Sequence, residues 1–175
     1  MNFEIIHRES QYQGRAFNVE RLKTRLPDGR INYYDLVQHH DSVTILPIDQ
    51  EGNIWFVQQF RMGSMNILLE LPAGVLDDGE DPETGAAREV REEIGLSAGR
   101  LQKLGEYYLA PGYSTEFMHA FLATDLKPDP LQADEDEFLK IRTIPAKQVY
   151  QMVQKGEIKD SKTLAALLLA EKFIQ

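Results

Sequence analysis

Gly74-Val-Leu-Asp-Asp-Gly-Glu80-Asp-Pro-Glu-Thr-Gly-Ala-Ala-Arg88-Glu89-Val90-Arg91-Glu92-Glu93-Ile94-Gly95-Leu96 is the stretch from which the rest of this chain can be read. A glycine-rich acidic run leads into a helix opened by Asp81-Pro82. Asp81 can cap the free amides of the first turn, and Pro82 suits the first helical position, where no amide partner is lost. The helix should stop at Gly95, the residue best able to take the left-handed C-terminal conformation. At about 100° per residue, Glu89, Glu92 and Glu93 fall on one arc with Gly85 at its middle, and Ala86, Ala87, Val90 and Ile94 fall on the other side. The expectation is a helix that packs through its alanine and branched-aliphatic face and presents three carboxylates opposite.

A solvated acidic face is the plain account of such a run. Two features count against it. Like charges at i,i+4, here Glu89 and Glu93, are mildly destabilising, and negative charge in the C-terminal half of a helix opposes the macrodipole. Arg88 can answer Glu92 at i+4, which offsets one charge. A chain that keeps this arrangement uses it to hold hard divalent cations, for which carboxylate oxygens are the preferred ligands, shared with water and substrate phosphates.

The stretch resembles the box of the Nudix hydrolases: a Gly, a five-residue gap, a Glu, a seven-residue gap, Arg-Glu, an aliphatic, any residue, Glu-Glu, any residue, Gly and an aliphatic. Gly74, Glu80, Arg88-Glu89, Val90, Glu92-Glu93, Gly95 and Leu96 match every fixed position. The fold that this resemblance implies is the Nudix α/β/α sandwich with a mixed sheet, over roughly residues 41–175, preceded by a separate N-terminal antiparallel β-region, residues 1–40.

Composition is that of an ordinary soluble globular protein, 42% hydrophobic and 27% charged. The chain has 175 residues, enough for one domain with a sizeable core or one domain plus a small appendage. Its 28 acidic against 19 basic residues leave a net charge of −9, with no basic surplus for nucleic acid or an anionic membrane. An acidic protein that acts on a phosphorylated substrate needs metal to reconcile the two. The absence of cysteine excludes disulfides, thiolate metal sites and a cysteine nucleophile. No apolar run follows Met1, so no secretory leader is expected, and the longest apolar run, residues 164–170, is too short to span a bilayer. A cytoplasmic location is the expectation.

Along the chain, residues 17–24 and 31–37 read as strands flanking Leu26-Pro27-Asp28-Gly29-Arg30, a strong turn signal. Much of residues 1–40 is polar on both sides of the alternation, so these strands need another surface, either the main domain or a second subunit. His39-His40 is no metal pair, because adjacent strand residues point to opposite faces. Residues 43–48 and 53–60 read as a hairpin of buried strands across the turn at residues 49–52. Residues 62–66 read as a loop and 67–71 as a short strand leading into the glycine turn. Strands follow at residues 105–109, 117–123 and 138–144, with an acidic loop over residues 124–137 that contains Asp134-Glu135-Asp136-Glu137. A helix over residues 146–155 ends at Gly156, and Asp160 or Ser161 caps a last helix to about Phe173.

The resemblance also implies roles. Nudix hydrolases cleave a pyrophosphate joining a nucleoside to another moiety. Glu89, Glu92 and Glu93 would hold Mg²⁺ (Mn²⁺ as substitute), with the carbonyl of Ala73 or Gly74 as a further ligand, and Glu92 and Glu93 would be catalytic. Arg88 would orient Glu92 or Glu93, and Glu80 would be structural. The general base would be a glutamate of the acidic loop, Glu135 or Glu137, with Glu135 preferred. Pro111, fifteen residues beyond Leu96, with Gln59-Phe60-Arg61 and Glu70-Leu71-Pro72-Ala73-Gly74, is similar to the ADP-ribose pyrophosphatase branch. There Arg61 would meet the diphosphate, Glu70 a ribose hydroxyl, and Pro111-Gly112 would border the substrate. Phe17, Tyr33 or Tyr34 would stack on the base. Residues 62–67 lack the aromatic often found before that Glu-Leu-Pro-Ala-Gly segment, which leaves ADP-ribose, GDP-mannose and other nucleoside diphosphate sugars open as substrates. In the same branch the N-terminal region exchanges between subunits, so a homodimer is expected. A nucleoside triphosphate pyrophosphohydrolase and a non-catalytic Nudix-like sensing module are the alternatives. Pro111 and the N-terminal strands count against the first, and the intact set of box glutamates against the second.

Overall fold

The computed structural model describes residues 1–132 and 138–174, and the chain falls into two compact units. The first unit, Met1–Asp41 with Tyr108–Phe117, contains strands β1 (Glu4–Gln13), β2 (Asn18–Arg25) and β3 (Ile31–Gln38), joined antiparallel in that order. The β2–β3 turn forms where Asp28-Gly29 predicts it: Gly29 has φ +86°, and its N–H donates to Leu26 O at 2.9 Å. Two register shifts, at Ile6 and Gln11, are bulges that bend β1. Ion pairs Arg25–Glu4 and Arg21–Asp35 join directly opposed residues, and Arg8–Glu20 a diagonal pair. Each such pair contributes only about 0.2–1 kcal/mol. The segment at residues 110–115 is stitched to the end of β3: Val37 N donates to Tyr113 O at 2.7 Å, and Thr115 N to Val37 O at 3.0 Å. Among the described residues of this unit only Leu22 and Thr24 are buried, so it has almost no core of its own.

The second unit, Ser42–Tyr107 with Met118–Gln175, is organised by strict alternation. Strand β4 (Ser42–Pro47) is buried along its whole length. Val43 and Ile45 enter one core, with Val57, Leu76, Ala86, Val90, Ile94, Phe121 and Ala123. Leu46 enters another, with Ile54, Phe56, Ala120, Leu122, Val149, Ala166, Leu167 and Ala170. Successive residues of β5 (Asn53–Arg61) and of β9 (Phe117–Pro128) divide between the same two cores, as period-two side chains must when both faces of a sheet are covered. One face carries α1 (Pro82–Glu93), the other α2 (Ala146–Gln154) and α3 (Ser161–Ile174), giving an α/β/α sandwich with mixed strands.

The strands form two sheets, β10–β5–β6 and β7–β4–β9–β8, where β6 is Asn66–Glu70, β7 Ala73–Val75, β8 Leu96–Tyr108 and β10 Lys140–Pro145. Several expectations change here. β4 and β5 do not pair as a hairpin among the described residues, where an isolated bridge Ile48–Ile54 just beyond β4 stands instead, because β4 is already flanked by β7 and by parallel β9, and β5 by β6 and β10. The turn between them is as expected, with Gly52 at φ +79°. β8 begins directly after α1, and β9 continues to Pro128, so residues 124–128 are strand, not loop. The remainder of the acidic run, including Glu135 and Glu137, lies outside the described residues. No described helix is long and apolar enough to cross a membrane.

Candidate active site

α1 forms for the reasons its sequence supplies. Asp81 Oδ2 accepts from the N–H groups of Glu83 (3.1 Å) and Thr84 (3.2 Å), Pro82 occupies the first turn, and Gly95 follows the helix at φ +70°. A cap of this kind is worth about 1 kcal/mol. Ala86, Val90 and Ile94 anchor the helix in the core.

The carboxylate arc is not the open face that the helical wheel suggests. Gly85, Glu89 and Glu93 are buried too, and only Glu92 is partly exposed. β7 and the residues after it cover this side. Leu76 and the Glu80 carboxylate lie against Gly85, and the carboxylate of Glu89 lies where a side chain at Gly74 would be. The box glycine at 74 leaves room for that carboxylate: a Cβ there would overlap it and displace Glu89 from its present position. Ala73 is drawn in by its N–H, which donates to Glu93 Oε2 at 3.1 Å.

Arg88 answers more than Glu92. Its Nε and Nη2 donate to Glu80 at 3.0 and 2.9 Å, and its Nη1 donates to Glu89 Oε1 at 2.7 Å and Glu92 Oε2 at 2.8 Å. Hydrogen bonding to Glu80, followed by the charges and bonds of Glu89 and Glu92, raises the Arg88 pKa further despite burial. The same Arg88 contact, with an N–H from Asp77, holds the Glu80 carboxyl below the usual range. Glu80 thus pairs with Arg88 at the start of the helix. The orientation of Glu93, which Arg88 was one candidate to supply, has the Ala73 N–H as its described contact.

These residues suit a hard divalent cation by donor type: three carboxylates and a backbone turn, all oxygen donors apart from the N–H of Ala73. As the side chains stand, no group of three or more His, Asp or Glu is gathered closely enough to hold an ion among the described residues.

A second charged cluster lies where β5 and β6 meet the start of α3. Glu70 is fully buried. Its Oε1 accepts from Arg61 Nε at 2.9 Å, and its Oε2 from Arg61 Nη2 at 2.8 Å and from Lys162 Nζ. Both oxygens are engaged within the protein, where Glu70 holds Arg61 and Lys162. Burial alone would push the Glu70 carboxyl up, but the Arg61 hydrogen bonds and the Lys162 charge outweigh it and the net direction is down. The Glu70 bond raises the pKa of Arg61 against burial, and Glu93 and Asp160 raise it further, so Arg61 stands within electrostatic reach of the carboxylate helix. Asp160 accepts from Lys162 at 3.0 Å and, as the cap of α3, from the N–H and hydroxyl of Thr163. Thr163 Oγ1 in turn accepts the N–H of Leu71 at 2.9 Å.

Lys162 escaped the sequence reading. Its one signal was a lysine in the first turn of a helix, the end where positive charge opposes the dipole. Phe17, Tyr34, Pro111 and Gly112 belong to the first unit. Phe17 packs tilted against Tyr12 with centroids 5.9 Å apart and borders a depression of ≈ 350 Å³ with Gly14, His39 and His40. Pro111 and Gly112 sit at the tip of a turn closed by Tyr113 N donating to Ala110 O.

The box, the capped helix and the sandwich that carries it define a class, and residues 38–167 match the NUDIX domain family model: the chain belongs to the Nudix family. Hydrolases of this family generally need a divalent metal ion. The chain is similar to the ADP-ribose pyrophosphatase of Bacillus subtilis (strain 168), with 34% identity over 166 residues covering 94% of this chain and 90% of that one. It is 38% identical over 170 residues to the ADP-ribose pyrophosphatase of Mycobacterium tuberculosis, covering 95% and 82%. Among solved structures, that of an ADP compounds hydrolase superposes with a TM-score of 0.90 at 25% identity, covering 99% of this chain and 95% of the other.

Proposed function

We propose that this protein hydrolyses the pyrophosphate bond of a nucleoside diphosphate sugar, ADP-ribose first among them, to a nucleoside monophosphate and a sugar phosphate. The observation that carries the reading is the complete box in its folded setting: Glu89 cradled at Gly74, Glu93 tied to Ala73, and Glu92 one position before it, with Arg61 in electrostatic reach. When bound, Mg²⁺ (or Mn²⁺ in its place) offsets charge on the phosphate oxygens and lowers the pKa of water. Glu89, Glu92 and Glu93, with the Ala73 backbone, are the residues to hold it. Arg88 takes one oxygen of Glu89 and one of Glu92, and would orient both carboxylates when a cation is held.

Arg61 meets the diphosphate and neutralises charge there. Glu135 or Glu137 takes the proton from the attacking water. Phe17 or Tyr34 stacks on the base, and the Pro111-Gly112 turn borders the sugar nucleotide. A cytoplasmic location suits such a substrate. Steady-state hydrolysis over ADP-ribose, ADP-glucose, GDP-mannose and 8-oxo-dGTP tests the reading. The highest kcat/KM should fall on a sugar nucleotide, and a preference for 8-oxo-dGTP overturns it.

The same reading includes a two-fold homodimer built through residues 1–40. All ten residues of β1 are exposed, and Ile5, Ile6, Tyr12, Phe17, Tyr33 and Tyr34 stand exposed on a sheet with almost no core. Such a surface gains most by being covered, and an obligate pair would bury above about 2,000 Å² in total. Light scattering should give twice the 20.0 kDa chain mass at micromolar concentration. A mass near that of one chain removes the dimer and any stacking residue supplied by a partner.

A further inference from the structure

Lys162 is a buried charge that the reaction above does not use. It is 8% exposed, in the first turn of α3, and donates to Glu70 Oε2 and Asp160 Oδ1. Arg61 reaches the same Glu70 carboxylate, yet the Arg61 side chain is 42% exposed against 10% for Lys162 and 1% for Glu70. Glu70 therefore has two cations of different standing, one sunk beside it and one that faces solvent.

We propose that Lys162 is a positioning residue: it is the standing counter-charge of Glu70, and so frees Arg61 to turn its guanidinium from that carboxylate to the diphosphate of the substrate. The inference rests on the role given to Arg61 under the proposed function. A buried carboxylate that loses its only cation is strongly disfavoured, so a Glu70 paired with Arg61 alone would lock the arginine in place. With Lys162 in contact, the carboxylate keeps a cation beside it when Arg61 leaves. Asp160 fixes Lys162 for this purpose, since Oδ1 takes the ammonium while Oδ2 caps α3 through Thr163. The same turn holds the exit of β6, because Thr163 accepts from Leu71 N, two residues before Ala73.

Kinetics of the full chain with ADP-ribose and Mg²⁺ test the proposal. Lys162→Met should raise KM by at least about tenfold while kcat stays within about threefold, and Lys162→Arg, which keeps the charge, should restore KM. In a Glu70→Gln background position 70 carries no charge to hold Arg61, so adding Lys162→Met should change KM by less than about twofold. An unchanged KM in Lys162→Met overturns the proposal, as does an equal rise in both backgrounds. If Lys162→Met does not fold, the double variant against Glu70→Gln decides alone, and a KM difference of about tenfold there sinks the idea. If the wild type turns over no sugar nucleotide, the parent reading has failed. Calorimetric binding of inorganic pyrophosphate to the same variants then judges Lys162 separately, and equal Kd values for wild type and Lys162→Met refute its role.

Discussion

Glu93→Gln and, separately, Glu92→Gln are each expected to lower kcat by at least about a hundredfold with the fold intact, because the substitution removes charge at the proposed metal site and keeps shape. At Glu93 the argument is local. The amide oxygen of glutamine can still accept the Ala73 N–H that the carboxylate accepts now, so the backbone turn at residues 72–74 keeps its position. Glu92 is partly exposed and its described partner is Arg88, so its loss leaves Arg88 with Glu80 and Glu89. Circular dichroism and the melting temperature should therefore stay close to wild type while turnover collapses. Near-normal kcat in either variant would remove the metal-site assignment. Glu80→Gln is the control: its carboxylate serves Arg88 and the Asp77 N–H, so it should cost far less in turnover than Glu93→Gln.

Chelation of divalent metal should abolish activity and leave the protein folded. Loss of activity follows from the general need of this family for a divalent cation, which Arg61 alone does not replace at the phosphate oxygens. Retention of the fold follows from Arg88, which gives Glu80, Glu89 and Glu92 a counter-charge from within the protein. It follows also from the two hydrophobic cores on either face of the sheet, whose burial does not depend on any ion. Activity should return with Mg²⁺ or Mn²⁺. If chelator instead melted the secondary structure, the metal would be structural, and the oxygen-ligand site shared with water and phosphate would be the wrong description.

The helix α1, its Asp81 cap and its Gly95 stop were legible because they depend on neighbours in sequence: a side-chain oxygen two or three residues from an amide, and a glycine able to take positive φ. The alternating strands around Val43, Phe56 and Phe121 were legible for the same reason, since period two is a local property. Partners were not. That β4 and β5, adjacent in the chain, join different sheets depends on which strands arrive at their edges from β7, β9 and β10. That Glu89 and Glu93 are covered depends on β7 crossing their side of the helix, which a helical wheel cannot contain.

The charges divide in the same way. The sequence by itself determined that Arg88 sits within reach of Glu92, because i,i+4 is fixed by the helix. Only the tertiary structure brought it Glu80, and only the tertiary structure put Lys162 on Glu70, 92 residues apart, inside the protein. A buried carboxylate must find a cation wherever the fold places one, and the cost of leaving it unpaired outweighs any preference of a lysine for the far end of its own helix.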